Sequence, residues 1–273
     1  MASIAQDVSV NGAGVEASDD RFFFRLALAM ALTVAVGFSV HLAMGRSSFG
    51  ARPLVHAHAL AFMGWVTIFL TQSWLATHGK AALHRQLGQL AAVWVLLLIG
   101  MGLAITIDVT RRGTAPFFFQ PQIFLILNPS AIVAFLGLFI AALRLRRQGD
   151  WHRRLQISAT AALLGPAFGR LLPMPLLIPW AFEAAVVATA VFPLIGAWRD
   201  KRRLGRVHPA WWWGLAVPLA VLLLAEGLAR SPLGDAAYAA VTRGHPGAAI
   251  DGFGFGAPAD NPLLPRASAA QHP

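Results

Sequence analysis

Residues 87–107 read LGQLAAVWVLLLIGMGLAITI, 21 positions without one charged side chain. A helix of about 20 residues, rising 1.5 Å at each, crosses a hydrocarbon core of about 30 Å. Such a run is a membrane span rather than the core helix of a soluble domain. Six further apolar stretches of similar length lie around it, beginning near Phe22, Leu54, Pro121, Leu155, Leu176 and Trp211. Short arginine-rich loops separate them. The expected fold is all-α: an integral membrane bundle of seven transmembrane helices.

Composition agrees with that reading. The chain of 273 residues is 57% hydrophobic and 12% charged, against about 25% charged in soluble domains. A net charge of +10 does not signal nucleic acid here, because no soluble domain presents a basic face with stacking aromatics. The arginines sit at helix ends, where they orient the chain and meet anionic lipid at the inner face. No cysteine is present, which excludes disulfides, thiolate metal sites and cysteine nucleophiles. The two lysines, Lys80 and Lys201, both fall in inner loops, so no amine is placed within the bundle for a retinal Schiff base.

Three regions follow. Residues 1–21 are polar, begin acidic rather than basic as a secretory signal would, and read as a disordered cytoplasmic tail. Residues 22–229 hold the seven spans. Residues 230–273 read as an extended outer tail, since positions 231–273 contain six glycines and six prolines, with Phe253 and Phe255 among them. With the N-terminus inside, the inner segments carry 14 of the 22 basic residues and the outer segments 8. The excess favours an inner N-terminus and an outer C-terminus in a bacterial cytoplasmic membrane.

A faint repeat organises the middle of the chain. Leu83-His84-Arg85-Gln86-Leu87 opens the third span and Trp151-His152-Arg153-Arg154-Leu155 the fifth, 68 residues apart. Spans two and three then resemble spans four and five as parallel hairpins. The two His-Arg pairs read either as interfacial anchors for lipid phosphate or as holders of a cofactor's propionates or of a partner's acidic edge. Gly165-Pro166-Ala167-Phe168-Gly169 supplies a small-residue face for close helix packing. Pro129 after Asn128 predicts a kink in span four.

Chemistry-bearing residues gather in the outer half: His41, His56, His58, Asp108, Asn128, Arg170, Glu183 and Glu226. Ionisable groups within spans are costly and are functional candidates by default. The inner half of the spans reads as almost wholly apolar. His56 and His58 are two residues apart, a rotation of about 200° on a helix, so both rings cannot serve one ion if the segment is helical. Either the helix starts after His56, or the rings serve different groups. Heptad spacing sets His58, Trp65 and Gln72 along one face, which makes His58 the inward ring.

Val55-His56-Ala57-His58-Ala59, Gly64-Trp65, Gln72, the segment 83–88, Trp151-His152-Arg153-Arg154-Leu155 and Leu164-Gly165-Pro166 with Arg170 resemble a family of uncharacterised bacterial multi-spanning membrane proteins. The likeness covers roughly residues 22–175 and carries no activity with it. The His-x-His opening of span two is also similar to the haem- and copper-containing NnrS membrane proteins and to the second helix of haem-copper oxidases. That likeness implies haem chemistry.

These readings predict an outer-side site in which His41, His56 and His58 hold b-type haem or a transition metal for electron transfer, with His56 and His58 as the metal pair. Imidazole suits iron, copper and zinc alike. Asp108, Arg170 and Glu183 would form the surrounding shell. The alternative is a non-catalytic subunit or assembly factor whose outer tail docks on a protein partner through Phe253 and Phe255. A transport path through Glu183 ranks last, because the apolar inner half offers no polar route. Gly-x-Ser-x-Gly and His-Glu-x-x-His do not occur in the sequence, and nothing else in it argues for a hydrolase.

Overall fold

A computed structural model describes residues 2–47 and 49–256 of the protein. Among them the regular structure is helical throughout: α1 (Ala2–Ala43), α2 (Pro53–Thr77), α3 (Ala81–Arg112), α4 (Pro121–Arg144), α5 (Gly149–Ala162), α6 (Gly165–Leu171), α7 (Ala181–Ala188), α8 (Val191–Leu204), α9 (Pro209–Ala229) and α10 (Pro232–Thr242), with single 3₁₀ turns at Met174–Leu177 and Pro246–Ala249. Six stretches are long and apolar enough to cross a membrane: Asp19–Ala43, α2, α3, α4, Ala181–Leu204 and α9. Their outward faces carry Leu60, Val93, Leu96, Leu223 and Leu224, each more than 60% exposed. A surface of that kind fits lipid rather than water.

Local sequence explains the helix limits. Pro53, Pro121, Pro209 and Pro232 open α2, α4, α9 and α10, where their fixed φ suits a first turn and the missing N–H is no loss. Gly113 and Gly205 end α3 and α8 in the left-handed region, the conformation a helix stop favours.

The fifth apolar stretch, which begins near Leu155, is not one helix. It is broken at Leu163–Leu164 into α5 and α6. Pro166 has no N–H to offer the carbonyl of Ala162, and its ring clashes with that turn. The sixth stretch starts later than Leu176: a 3₁₀ turn and Pro179 precede α7 at Ala181. Pro193 then separates α7 from α8 by the same mechanism.

The two ends of the chain also differ from the sequence reading. Residues 2–21, read as a disordered tail, belong to α1, and Asp19 is anchored by Arg153, Arg199 and Arg203. Residues 230–256, read as extended, fold back over the bundle as α10 and a 3₁₀ turn packed on α3, α4 and α9. The Gln122 side chain donates to the Ala229 carbonyl and to Asp235, while its backbone N–H donates to the Gly252 carbonyl. Phe253 packs with Ile126, Phe182 and Val186 against a buried cluster around Ile123 and Leu127. It is therefore engaged within the chain, and Phe255 is left 38% exposed. The tail beyond position 256 lies outside the described residues.

Two ends of the bundle matter for function. One carries Asp19, the start of α3, Arg154 and Asp200, and is the end that the sequence assigns to the inner side. The other carries Asp108, Arg170, Glu183 and Arg230. They are called here the Asp19 end and the Arg170 end.

Candidate functional site

The constellation expected at the Arg170 end separates into three groups. Asp108 on α3 accepts two bonds from Arg52, through Nη2 and through Nη1 at 2.8 Å, and a third from Arg112 at 3.0 Å. Its charge is spent on two arginines, so it cannot orient a histidine. Glu183 lies in the first turn of α7, and its carboxyl group faces that of Glu226 on α9. Glu226 in turn accepts from Arg230 Nε at 2.9 Å. Of the two acids, Arg230 is thus bonded to Glu226 alone, and one oxygen of each, Glu183 Oε2 and Glu226 Oε1, is buried without a partner among the described residues.

The third group keeps part of the predicted set. Arg170, near the end of α6, lies over the Phe38 ring at 3.9 Å and donates to the Pro166 carbonyl. Its Nε is buried without a partner among the described residues. The guanidinium acts electrostatically on both His41 of α1 and His58 of α2. Gly37 makes this approach of α1 and α6 close: a Cβ there would stand 2.9 Å from the Ala167 carbonyl oxygen.

The two rings of His-x-His serve different groups. α2 begins at Pro53, so His56 and His58 are both helical and point apart. His56 Nε2 lies 3.1 Å from the Phe49 carbonyl in the preceding loop, which makes that nitrogen a donor rather than a metal ligand. His58 turns inward against Phe62. The predicted His56–His58 metal pair therefore does not form. Among the described residues, no group of three or more His, Asp or Glu side chains gathers to hold a metal ion.

The heptad face of α2 is more telling. His58 Nδ1, Trp65 Nε1 and Gln72 Oε1 are all buried without a hydrogen-bond partner among the described residues. Trp65 is only 3% exposed and packs edge-on against Phe135 and Phe139. An unmet buried polar group costs about 1–3 kcal/mol, and three on one line of one helix point to a missing partner. Asn128 is not a fourth, because its Nδ2 donates to Thr106 Oγ1 at 2.7 Å.

The Asp19 end holds what the sequence reading missed. Arg154 and Asp200 are each 1% exposed, although the inner half of the spans reads as apolar. Arg154 binds both Asp200 oxygens, at 2.8 and 3.0 Å, and Trp211 Nε1 donates to Asp200 Oδ2 at 2.8 Å. Phe23 stacks on Trp211 and lies under the Arg154 guanidinium. The available signal was Asp200 itself, an acid set among Arg199, Lys201, Arg202 and Arg203. At the same end, the repeat brings His84 and His152 together, with ring centroids 6.3 Å apart.

No family model, no curated protein and no solved structure matches this chain. Function is therefore read from its own side chains.

Proposed function

We propose that this is a seven-span protein of a bacterial cytoplasmic membrane that binds the anionic group of a cofactor or ligand at Arg170, with His58 and His41 beside it. The seventh span is α5 and α6 together, a broken helix running from the Asp19 end to the Arg170 end. One observation carries the binding reading: Arg170 Nε and His58 Nδ1 are both buried without a partner among the described residues, and the Arg170 charge reaches the His58 ring. A guanidinium calls for carboxylate or phosphate oxygens, and a neutral imidazole can ligate a metal. B-type haem is the redox cofactor with both needs, its propionates matching Arg170 and its iron matching His58. Bound there, it would supply one-electron transfer. The motif likeness to membrane proteins with His-x-His in the second span supports the same reading.

The purified protein should show a Soret band that shifts on dithionite reduction, and both His58→Ala and Arg170→Ala should diminish it. A featureless spectrum, with no metal by elemental analysis, overturns the redox reading. The anion reading then rests on thermal stabilisation by phosphate or carboxylates, which Arg170→Ala should abolish.

A further inference from the structure

His84 and His152 come from the two copies of the repeat and sit in the first turns of α3 and α5. Each ring is oriented the same way. His84 Nδ1 lies 3.2 Å from the Gln72 carbonyl, and His152 Nδ1 lies 2.9 Å from the Ala142 carbonyl. A carbonyl only accepts, so both Nδ1 atoms carry the hydrogen. Both Nε2 atoms are then bare lone pairs. A backbone carbonyl on one ring nitrogen is the outer-shell device that fixes the tautomer of a metal-ligating histidine. His78 Nδ1 also lies against a backbone carbonyl, that of Trp74 at 2.8 Å, but no second histidine stands beside it among the ring contacts of the described residues, and two further histidines are set differently. His208 Nδ1 accepts from the Ala210 N–H, which leaves its Nε2 protonated, and His56 Nε2 donates to Phe49.

Spacing narrows the chemistry. With a metal–nitrogen bond of about 2.0–2.1 Å, an ion lies roughly 3.2 Å from each ring centroid, so opposed rings stand roughly 6.4 Å apart and tetrahedrally placed ones roughly 5.2 Å. The rings stand edge to face, 6.3 Å apart with their planes at 87°, a separation that matches the opposed case if both Nε2 atoms face one ion. We propose that His84 and His152 form a two-ligand site for a single late transition-metal ion in a near-linear arrangement, with monovalent copper as the ion. Copper(I) has a filled d shell, accepts imidazole nitrogen and is satisfied by two opposed ligands. A third feature sits beside the pair: the Gln72 amide lies over Gly88, one turn from His84 on α3, and its buried Oε1 has no partner among the described residues. The site lies at the opposite end of the bundle from Arg170 and does not depend on the reading proposed there.

The test uses the full chain in detergent, titrated anaerobically with copper(I) against a chromophoric chelator. One equivalent should bind. His84→Ala and His152→Ala should each weaken it by at least the ten- to hundredfold that loss of an outer-shell partner costs. The double variant should be little worse than either single one. X-ray absorption of the copper-loaded wild type should show two imidazole nitrogens, a readout that no variant's folding can obscure. Copper binding unchanged in folded single variants overturns the site, as does an absorption spectrum without imidazole scattering. Tighter binding of zinc(II) than of copper(I) overturns the linear geometry.

Discussion

Asp200 meets Arg154 and Trp211 where water is nearly absent, and the energetics of such a pair depend on how it is broken. Removing one partner leaves an uncompensated buried charge, at about 3–5 kcal/mol, whereas replacing both by apolar groups of similar size is often neutral. Asp200→Ala should therefore lower thermal stability in detergent sharply, and Arg154→Met combined with Asp200→Leu should recover most of the loss. If the double variant is as unstable as Asp200→Ala, the pair is needed for something other than mutual compensation. His58 and Asp200 differ in how far the sequence exposes them. His58 lies on a heptad line with Trp65 and Gln72, so local spacing alone turns it inward. Asp200 owes its burial to Arg154, 46 positions away, and nothing in the charge run around it reveals that partner.

Where helices touch, one glycine does what another was expected to do. The small-residue face at Gly165 and Gly169 reads as a packing surface, yet a Cβ at Gly165 would meet nothing within 4 Å, and one at Gly169 only the tip of Met174 at 3.8 Å. Those glycines accompany a helix break, and the close approach of α1 to α6 is made by Gly37 against the Ala167 carbonyl. The partner there is backbone, which cannot rotate away. Gly37→Ala should cost about 1–3 kcal/mol, as overpacking does, while Gly165→Ala should change melting by little. Equal melting of both variants would mean that α6 slides freely on α1. Spans and their approximate starts follow from apolar length alone. Which glycine is pressed by which neighbour depends on helix rotation and crossing, and a single chain's periodicity does not encode the neighbour.

Across the whole molecule, the count of crossings decides where the two ends of the chain lie. The six long apolar helices alone would return the C-terminal segment to the side of Asp19. In the seven-span reading proposed above, α5 and α6 together add a seventh crossing, and contacts at both of their ends give its direction. Arg154 in α5 binds Asp200 at the end that also holds Asp19, whereas Arg170 in α6 lies over Phe38 near the far end of α1. Residues 230–256 then cap the Arg170 end, where Arg111 of α3 donates to the Val241 carbonyl and Tyr238 to the Gly247 carbonyl. The basic residues around Arg144–Arg154 and Arg199–Arg206 gather at the Asp19 end, which in the proposed orientation is the cytoplasmic one. A reporter fused at Gly205 should be active on the cytoplasmic side, and one fused after Phe255 on the opposite side. Both on one side would mean that α5 and α6 enter and leave through the same face, and the Arg170 group would then lose its place at the outer end.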